Sequence, residues 1–163
     1  MELKRHLDPK CIFIGLYVVL LLVYIVIGLK PADATNYPIS GKISIPEINL
    51  ESDVTTLELN KGKLDAPDRI IGSFSTSPNK TLLIGHSTTV FQNLNKANLG
   101  EYIFYNNKSY RINNIEIKAK SDIHMGKLLK ETEKDTIVLM TCAGELFENG
   151  DATHRLIITA AVE

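Results

Sequence analysis

Apolar residues are grouped along this chain in two different ways. From Cys11 to Leu29 they form one unbroken run of 19 residues without a charge, CIFIGLYVVLLLVYIVIGL. Beyond residue 40 they come in short stretches separated by Gly, Pro, Asn and Ser. At about 1.5 Å per residue the long run spans roughly 28 Å, close to the hydrocarbon thickness of a bilayer. A helix buried in a soluble core shows a polar face, and this run has none. The pattern predicts a transmembrane helix over 11–29, preceded by a basic cytoplasmic tail, 1–10, and followed by a polar, Pro-containing linker, 30–40. Lys4, Arg5 and Lys10 precede the run and only Lys30 follows it closely. The positive-inside rule therefore puts the N-terminus in the cytoplasm and residues 41–163 outside a cell membrane. Ala32-Asp33-Ala34 has the form of a signal-peptidase site. The run nevertheless exceeds the ~7–15 residues of a signal h-region, which favours an uncleaved, single-pass anchor.

The short stretches read mostly as strands. Gly41–Leu50 sets Ile43 and Ile45 on one face, with Pro46 marking an edge or an end. Ser52–Leu59 alternates more weakly, and Ile70–Phe74 is short. Thr81–Ile84 is continuously apolar and stops at Gly85-His86. Val90, Phe91, Leu94 and Ala97 stand at helical spacing before Gly100, predicting a short helix. Glu101–Tyr105 and Tyr110–Ala119 read as a hairpin around Asn106-Asn107-Lys108. Ser121 or Asp122 can cap a second helix holding Met125, Leu128 and Leu129. Thr136–Thr141 is a buried strand ending at Cys142, and Arg155–Val162 is the last strand. The expected fold is mainly β: a closed or nearly closed antiparallel barrel of roughly eight strands with one or two short helices, over 41–163.

Composition narrows the chemistry. The net charge is −1, and residues 31–163 carry 14 Lys+Arg against 17 Asp+Glu. Neither figure supplies the basic surplus that neutralises phosphates, which excludes nucleic acid as an expected partner. The two cysteines fall on opposite sides of the proposed topology, Cys11 in the apolar run and Cys142 in the exported domain. A lone thiol in an oxidising compartment is either a buried small hydrophobe or a reactive group. A thiol nucleophile needs a proton partner, usually His, and donors for an oxyanion. His86, His124 and His154 are the exported histidines. His86 follows a buried strand and a glycine, Cys142 comes where a buried strand runs out, and Arg155 opens the last strand. Three reactive side chains at three strand termini can build a site at one rim of a barrel. Each also has a plain reading: a loop histidine, a packed cysteine, an edge charge that blunts aggregation. His154 competes with His86, but neighbours on a strand point to opposite faces, so His154 and Arg155 are not expected to share one.

At this point the sequence resembles a family, the sortases. ISIPEINL resembles their first strand, LLIGHST the strand delivering a histidine, and VFQNLNKANLGEYIFY the following helix and strand. IVLMTCAGELF resembles the Thr-Cys strand and HRLIITA the Arg-bearing strand. The ordered set His86, Cys142, Arg155 carries the resemblance more than any one motif, and the N-terminal anchor is consistent with it. The T-C-x-G-x-F form at Thr141–Phe147 leans towards the single-domain class F-like enzymes, although Gly100-Glu101 stands where the family has Gly-Asp. The resemblance implies a membrane-anchored cysteine transpeptidase. Cys142 would attack an LPXTG-like sorting signal of secreted proteins to give a thioester acyl-enzyme. His86 would move protons, and Arg155 would hold the oxyanion or the substrate backbone. Ser87, Thr141 and Ala143 would contact the substrate. The acceptor would be an amine of the cell wall or of a pilin. No cofactor is implied. Calcium activation would need an acidic cluster, for which Glu145, Glu148 and Asp151 are the nearest residues, read here as a solvated loop. A cysteine peptidase hydrolysing the same signal, and a non-catalytic peptide-binding barrel, are the alternatives. The other cysteine transpeptidases of cell walls place Ser-His-Gly-Cys at the nucleophile, which Thr141-Cys142-Ala143 does not match.

Overall fold

The computed structural model describes residues 37–148 and 151–163. The expectations for the basic tail, the membrane-spanning helix at 11–29 and the linker up to residue 36 lie outside the described residues. Among the described residues, no helix is long and apolar enough to cross a membrane.

Eight strands close a barrel: β1 (Ile39–Ile45), β2 (Leu50–Thr56), β3 (Ile71–Ser77), β4 (Lys80–Ile84), β5 (Tyr102–Tyr105), β6 (Lys108–Ala119), β7 (Thr136–Leu146) and β8 (Ala152–Val162). Around the barrel they run in the order β1-β2-β3-β4-β7-β8-β6-β5. The sheet is mixed rather than wholly antiparallel: β2 pairs with β3, and β4 with β7, in parallel. Each parallel pair is joined by a longer connection, because no tight turn can return a chain in the same direction.

Local chemistry explains the punctuation. Pro46 ends β1 and opens a single 3-10 turn, closed by Asn49 in the left-handed region at φ 52°. Asn106 and Asn107 both take positive φ, 47° and 64°, which is the two-residue turn that matches strand twist. The helix expected over 90–99 is instead a series of turns with one 3-10 turn, Leu94–Lys96. Its apolar spacing does serve burial, since Phe91 and Leu94 plug the core. The asparagines defeat the helix: the Asn98 amide bonds the Lys96 carbonyl and the Glu101 carboxylate instead of a helical ladder. A single-turn α1 (Met125–Leu128) forms where the second helix was expected, with His124 rather than Ser121 or Asp122 at its N-cap position.

Strand alternation divides the β4–β7–β8 sheet into two faces. Leu83, Leu139 and Ile158 point into the barrel, where they join Ile43, Ile45, Ile103 and Ile112 in the main core. Leu82, Ile84, Val138 and Ile157 point outward and form a second cluster, partly covered by Leu64, Ala66, Ile123, Leu128 and Leu129.

Candidate active site

The outward residues of the three strands line up in rows. Thr159 pairs with Val138, and Val138 with Leu82. Ile157 pairs with Met140, and Met140 with Ile84. Arg155 pairs with Cys142. Carrying the parallel β4–β7 register two residues past Ile84 sets His86 beside Cys142, at the spacing of neighbouring strands, about 5 Å between backbones. Opposed residues of an antiparallel pair share a face. Arg155, Cys142 and His86 are therefore the third row of one surface, after two rows that are apolar apart from Thr159.

This location differs from a barrel rim. Cys142 lies within β7, four residues before its end, and Arg155 is the fourth residue of β8. Only His86 follows its strand. Both strands run on because β7 and β8 remain paired to Leu146 and Ala152 through a bulge after Ala143. Gly144 makes that bulge possible: its φ is +76°, and a Cβ there would meet Thr153 Oγ1 at 2.5 Å and His154 Nδ1 at 2.8 Å. His154 pairs with Ala143 on the opposite face, and its Nδ1 bonds the Thr153 hydroxyl at 2.8 Å. Of the histidines His86, His124 and His154, His86 is thus the one that shares a face with the sulfur, while the exposed His124 stands at the N-cap position of α1 without a side-chain capping bond.

The corner carrying His86 is held from two sides. The buried Thr141 hydroxyl donates to the Gly85 carbonyl at 2.7 Å, tying β7 to the end of β4. Gly85 admits no side chain, because a Cβ would lie 2.6 Å from Val90 and 2.9 Å from the Phe91 ring. On the other side His86 Nε2 lies 3.0 Å from the Ala66 carbonyl and 3.7 Å from the exposed Asp68 carboxylate. A carbonyl only accepts, so in the neutral ring Nε2 carries the proton and Nδ1 is the basic nitrogen.

The thiol of Cys142 is free and half-buried. The Arg155 side chain is only 15% exposed. Its guanidinium donates to the Ala152 and His154 carbonyls at 3.0 and 2.9 Å, and to the Asp151 carboxylate at 2.6 Å. Three of its five N–H groups are so engaged. Asp151 also receives Lys120. Hydrogen bonds from Lys120 and Arg155 hold the Asp151 carboxyl well below the usual carboxylate range. The acidic residue considered for calcium thus already serves two cations. Among the described residues, no group of three or more His, Cys, Asp or Glu is placed to hold a metal ion.

Ser87, Thr141 and Ala143 line one cavity of about 290 Å³ together with Cys142. His86 and Arg155 are not part of its lining. Three positioning groups escaped the sequence: the Ala66 carbonyl, Asp68 and, for Arg155, Asp151. Only Asp151 left a trace there, as an acid four residues before the arginine.

The model of the Sortase domain family matches residues 43–163. None of the curated proteins matches the chain significantly. Among solved structures, the chain is similar to sortase C1 of Streptococcus agalactiae, with a TM-score of 0.61 and 18% identity over 77% of this chain and 67% of that one. It is also similar to a lid mutant of sortase A from Corynebacterium diphtheriae (TM-score 0.60, 24% identity, 83% and 75% covered). A third similar structure is sortase C-1 of Actinomyces oris (TM-score 0.59, 21% identity, 82% of each chain). At these identities the likeness to solved structures is one of fold.

Proposed function

The chain belongs to the sortase family, and we propose that it is a membrane-anchored transpeptidase that cleaves an LPXTG-like sorting signal and passes the protein to an envelope amine. In this reading residues 11–29 are the anchor, the N-terminus is cytoplasmic and the barrel works outside the membrane. The observation that carries it is the pairing of Arg155 with Cys142 across β8 and β7, with His86 two residues past the end of the adjoining β4.

The chemistry follows from that arrangement. The Cys142 thiolate adds to the carbonyl carbon of the signal's threonine, and the C–N bond to the next residue breaks as the thioester forms. Protonated His86 gives its Nδ1 proton to the departing amine. The incoming amine then attacks the thioester, returns a proton to Nδ1, and releases the thiolate as the new amide forms. Two Arg155 N–H groups are left over after its bonds to Asp151, Ala152 and His154, and they serve the oxyanion or the substrate backbone. Asp151 and the two carbonyls fix the plane of the guanidinium, so little entropy is lost when substrate arrives. Ser87, Thr141 and Ala143 contact the substrate next to the sulfur. The class F-like assignment rests on the residues following Cys142.

The test is direct. The full chain is mixed with a fluorogenic LPXTG-type peptide, with and without oligoglycine or hydroxylamine. Cleavage that needs Cys142 and is diverted to an amide by the amine is the expected result. Cleavage that ignores the amine identifies a peptidase instead. Neither cleavage nor thiol labelling, across a panel of signals, overturns both.

A further inference from the structure

The connection between the parallel strands β2 and β3 comprises residues 57–70. It turns back on itself where Asn60 bridges to Lys63, with Lys61 and Gly62 both at positive φ. It then lays Leu64 and Ala66 on the outer cluster of Leu82, Ile84, Val138 and Ile157. Pro67 is buried, while Asp65, Asp68 and Arg69 around it face solvent. An irregular stretch of chain is thus seated on the sheet by its apolar residues, beside the corner that carries His86.

Two side chains of that corner bond the strap. The His86 ring donates from Nε2 to the Ala66 carbonyl at 3.0 Å. The Thr89 hydroxyl donates to the Asp68 carbonyl at 2.5 Å. Thr89 also closes the turn that His86 opens: its own N–H donates to the His86 carbonyl at 3.3 Å, as that of Phe91 does at 3.0 Å. One residue therefore holds the main chain of His86 and, through the strap, the acceptor for its ring. Pro67 stiffens the stretch between the two bonds. Its ring fixes its own φ and confines Ala66 before it to extended backbone, which restricts the direction of the Ala66 carbonyl. The Asp68 carboxylate stands 3.7 Å from Nε2 on a side chain that is 94% exposed, so water screens it and the carbonyl directs the ring.

The proposed chemistry asks this ring to give a proton to one amine and take one from another at the same place. An imidazole free to turn would swing its basic nitrogen away between the two steps. A backbone acceptor on Nε2 prevents this throughout the cycle, because Nε2 carries a proton in the imidazole held here and in the imidazolium alike. We propose that the 66–68 strap is the third arm of the catalytic set, and that Thr89 is its positioning residue, clasping the strap so that Nδ1 of His86 stays turned to the substrate. The kinetic part of the proposal rests on the transpeptidase reading; the ring geometry does not, since the Nε2–H reports it without substrate.

The test uses the full chain in mild detergent with nitrogen-15-labelled histidine. The His86 Nε2–H resonance, identified by its loss in His86→Gln, should be visible in wild type because a hydrogen-bonded N–H exchanges slowly with water. In Thr89→Val, which keeps the side-chain shape and loses the hydroxyl, that resonance should disappear into exchange. With an LPXTG-type peptide and oligoglycine, kcat should fall on the order of tenfold, a part of what a placed acid and base contribute, while KM changes by less than about twofold. Thr89→Ser should restore both signal and rate. Thermal melts report that each variant is folded; if Thr89→Val is not, Pro67→Gly loosens the same strap and is read in the same way. A rate that holds when the resonance is lost, a resonance that survives when the rate falls, or a change in KM alone overturns the proposal. If wild type cleaves no peptide, the transpeptidase reading fails, and the ring resonance alone decides whether Thr89 clasps the strap.

Discussion

The two faces of the β4–β7–β8 sheet come from the same strands, one residue out of phase. The inner face repeats Leu83, Leu139 and Ile158, each fully buried, and closes the barrel. The outer face begins with comparable apolar rows, Val138 beside Leu82 and Met140 beside Ile84, then changes to Arg155, Cys142 and His86. A period of two thus lets one strand contribute to stability with one set of alternate residues and to chemistry with the other. It teaches that the faces can be altered separately, and each of the following variants strains that separation.

The largest effect belongs to the outer face. Cys142→Ala should lower amide formation by roughly 10⁴-fold or more, since the nucleophile itself is gone. Its melting temperature should stay within about 2 °C of wild type, because a half-buried thiol contributes little to packing. A variant that keeps its activity, or that unfolds, breaks the comparison. Leu139→Ala is the mirror image on the inner face. A cavity in a dry core should cost about 2–5 kcal/mol, seen as a drop of roughly 10 °C in the melt, while the folded fraction keeps its rate. Arg155→Lys retains the charge but loses the planar fork. Removing an oriented oxyanion donor typically costs about 10²-fold or more in kcat, with stability little changed. Thr141→Val sharpens the boundary, because this buried inner-face hydroxyl serves the corner that carries His86. Leaving the Gly85 carbonyl without its donor should cost about 1–3 kcal/mol in chemical denaturation, and kcat/KM should fall with it. If stability drops and the pH–rate profile is unmoved, Thr141 belongs to packing alone.

The smallest effect is at Asp151. Its carboxyl titrates lower in the folded chain than in the unfolded one because Lys120 and Arg155 bond the charged form. Such a group stabilises the fold above the unfolded value near 3.9 and loses that contribution as pH falls towards the folded one. Melting temperatures followed from pH 5 to 2 should therefore decline more steeply for wild type than for Asp151→Asn. Identical slopes would show that the Asp151 contacts are not linked to folding.

Much of this architecture can be read from residue patterns. The short apolar stretches, the Asn106-Asn107 turn and the break at Pro46 locate strands by local chemistry, and they recur in the structure within a few residues. The helix over 90–99 does not form, because spacing records burial while the competing Asn98 hydrogen bonds depend on Glu101 and the folded loop. The rim geometry changes for a related reason. Where a strand ends is set by its partner, and β7 and β8 continue past Cys142 and Arg155 because each supplies the other's ladder.

What the sequence determined by itself was the kind of chain and the inventory of reactive groups: a long uncharged run, a strand-rich domain with one thiol, and a histidine and an arginine beside apolar stretches. These depend on periodicity and residue type, which are local properties. Tertiary structure alone decided that Arg155 faces Cys142 and His154 does not. It also brought Ala66 to the ring of His86 and gathered Lys120 and Arg155 on Asp151. Register, parallel pairing and burial are set by segments tens of residues apart, and no single stretch of sequence encodes them.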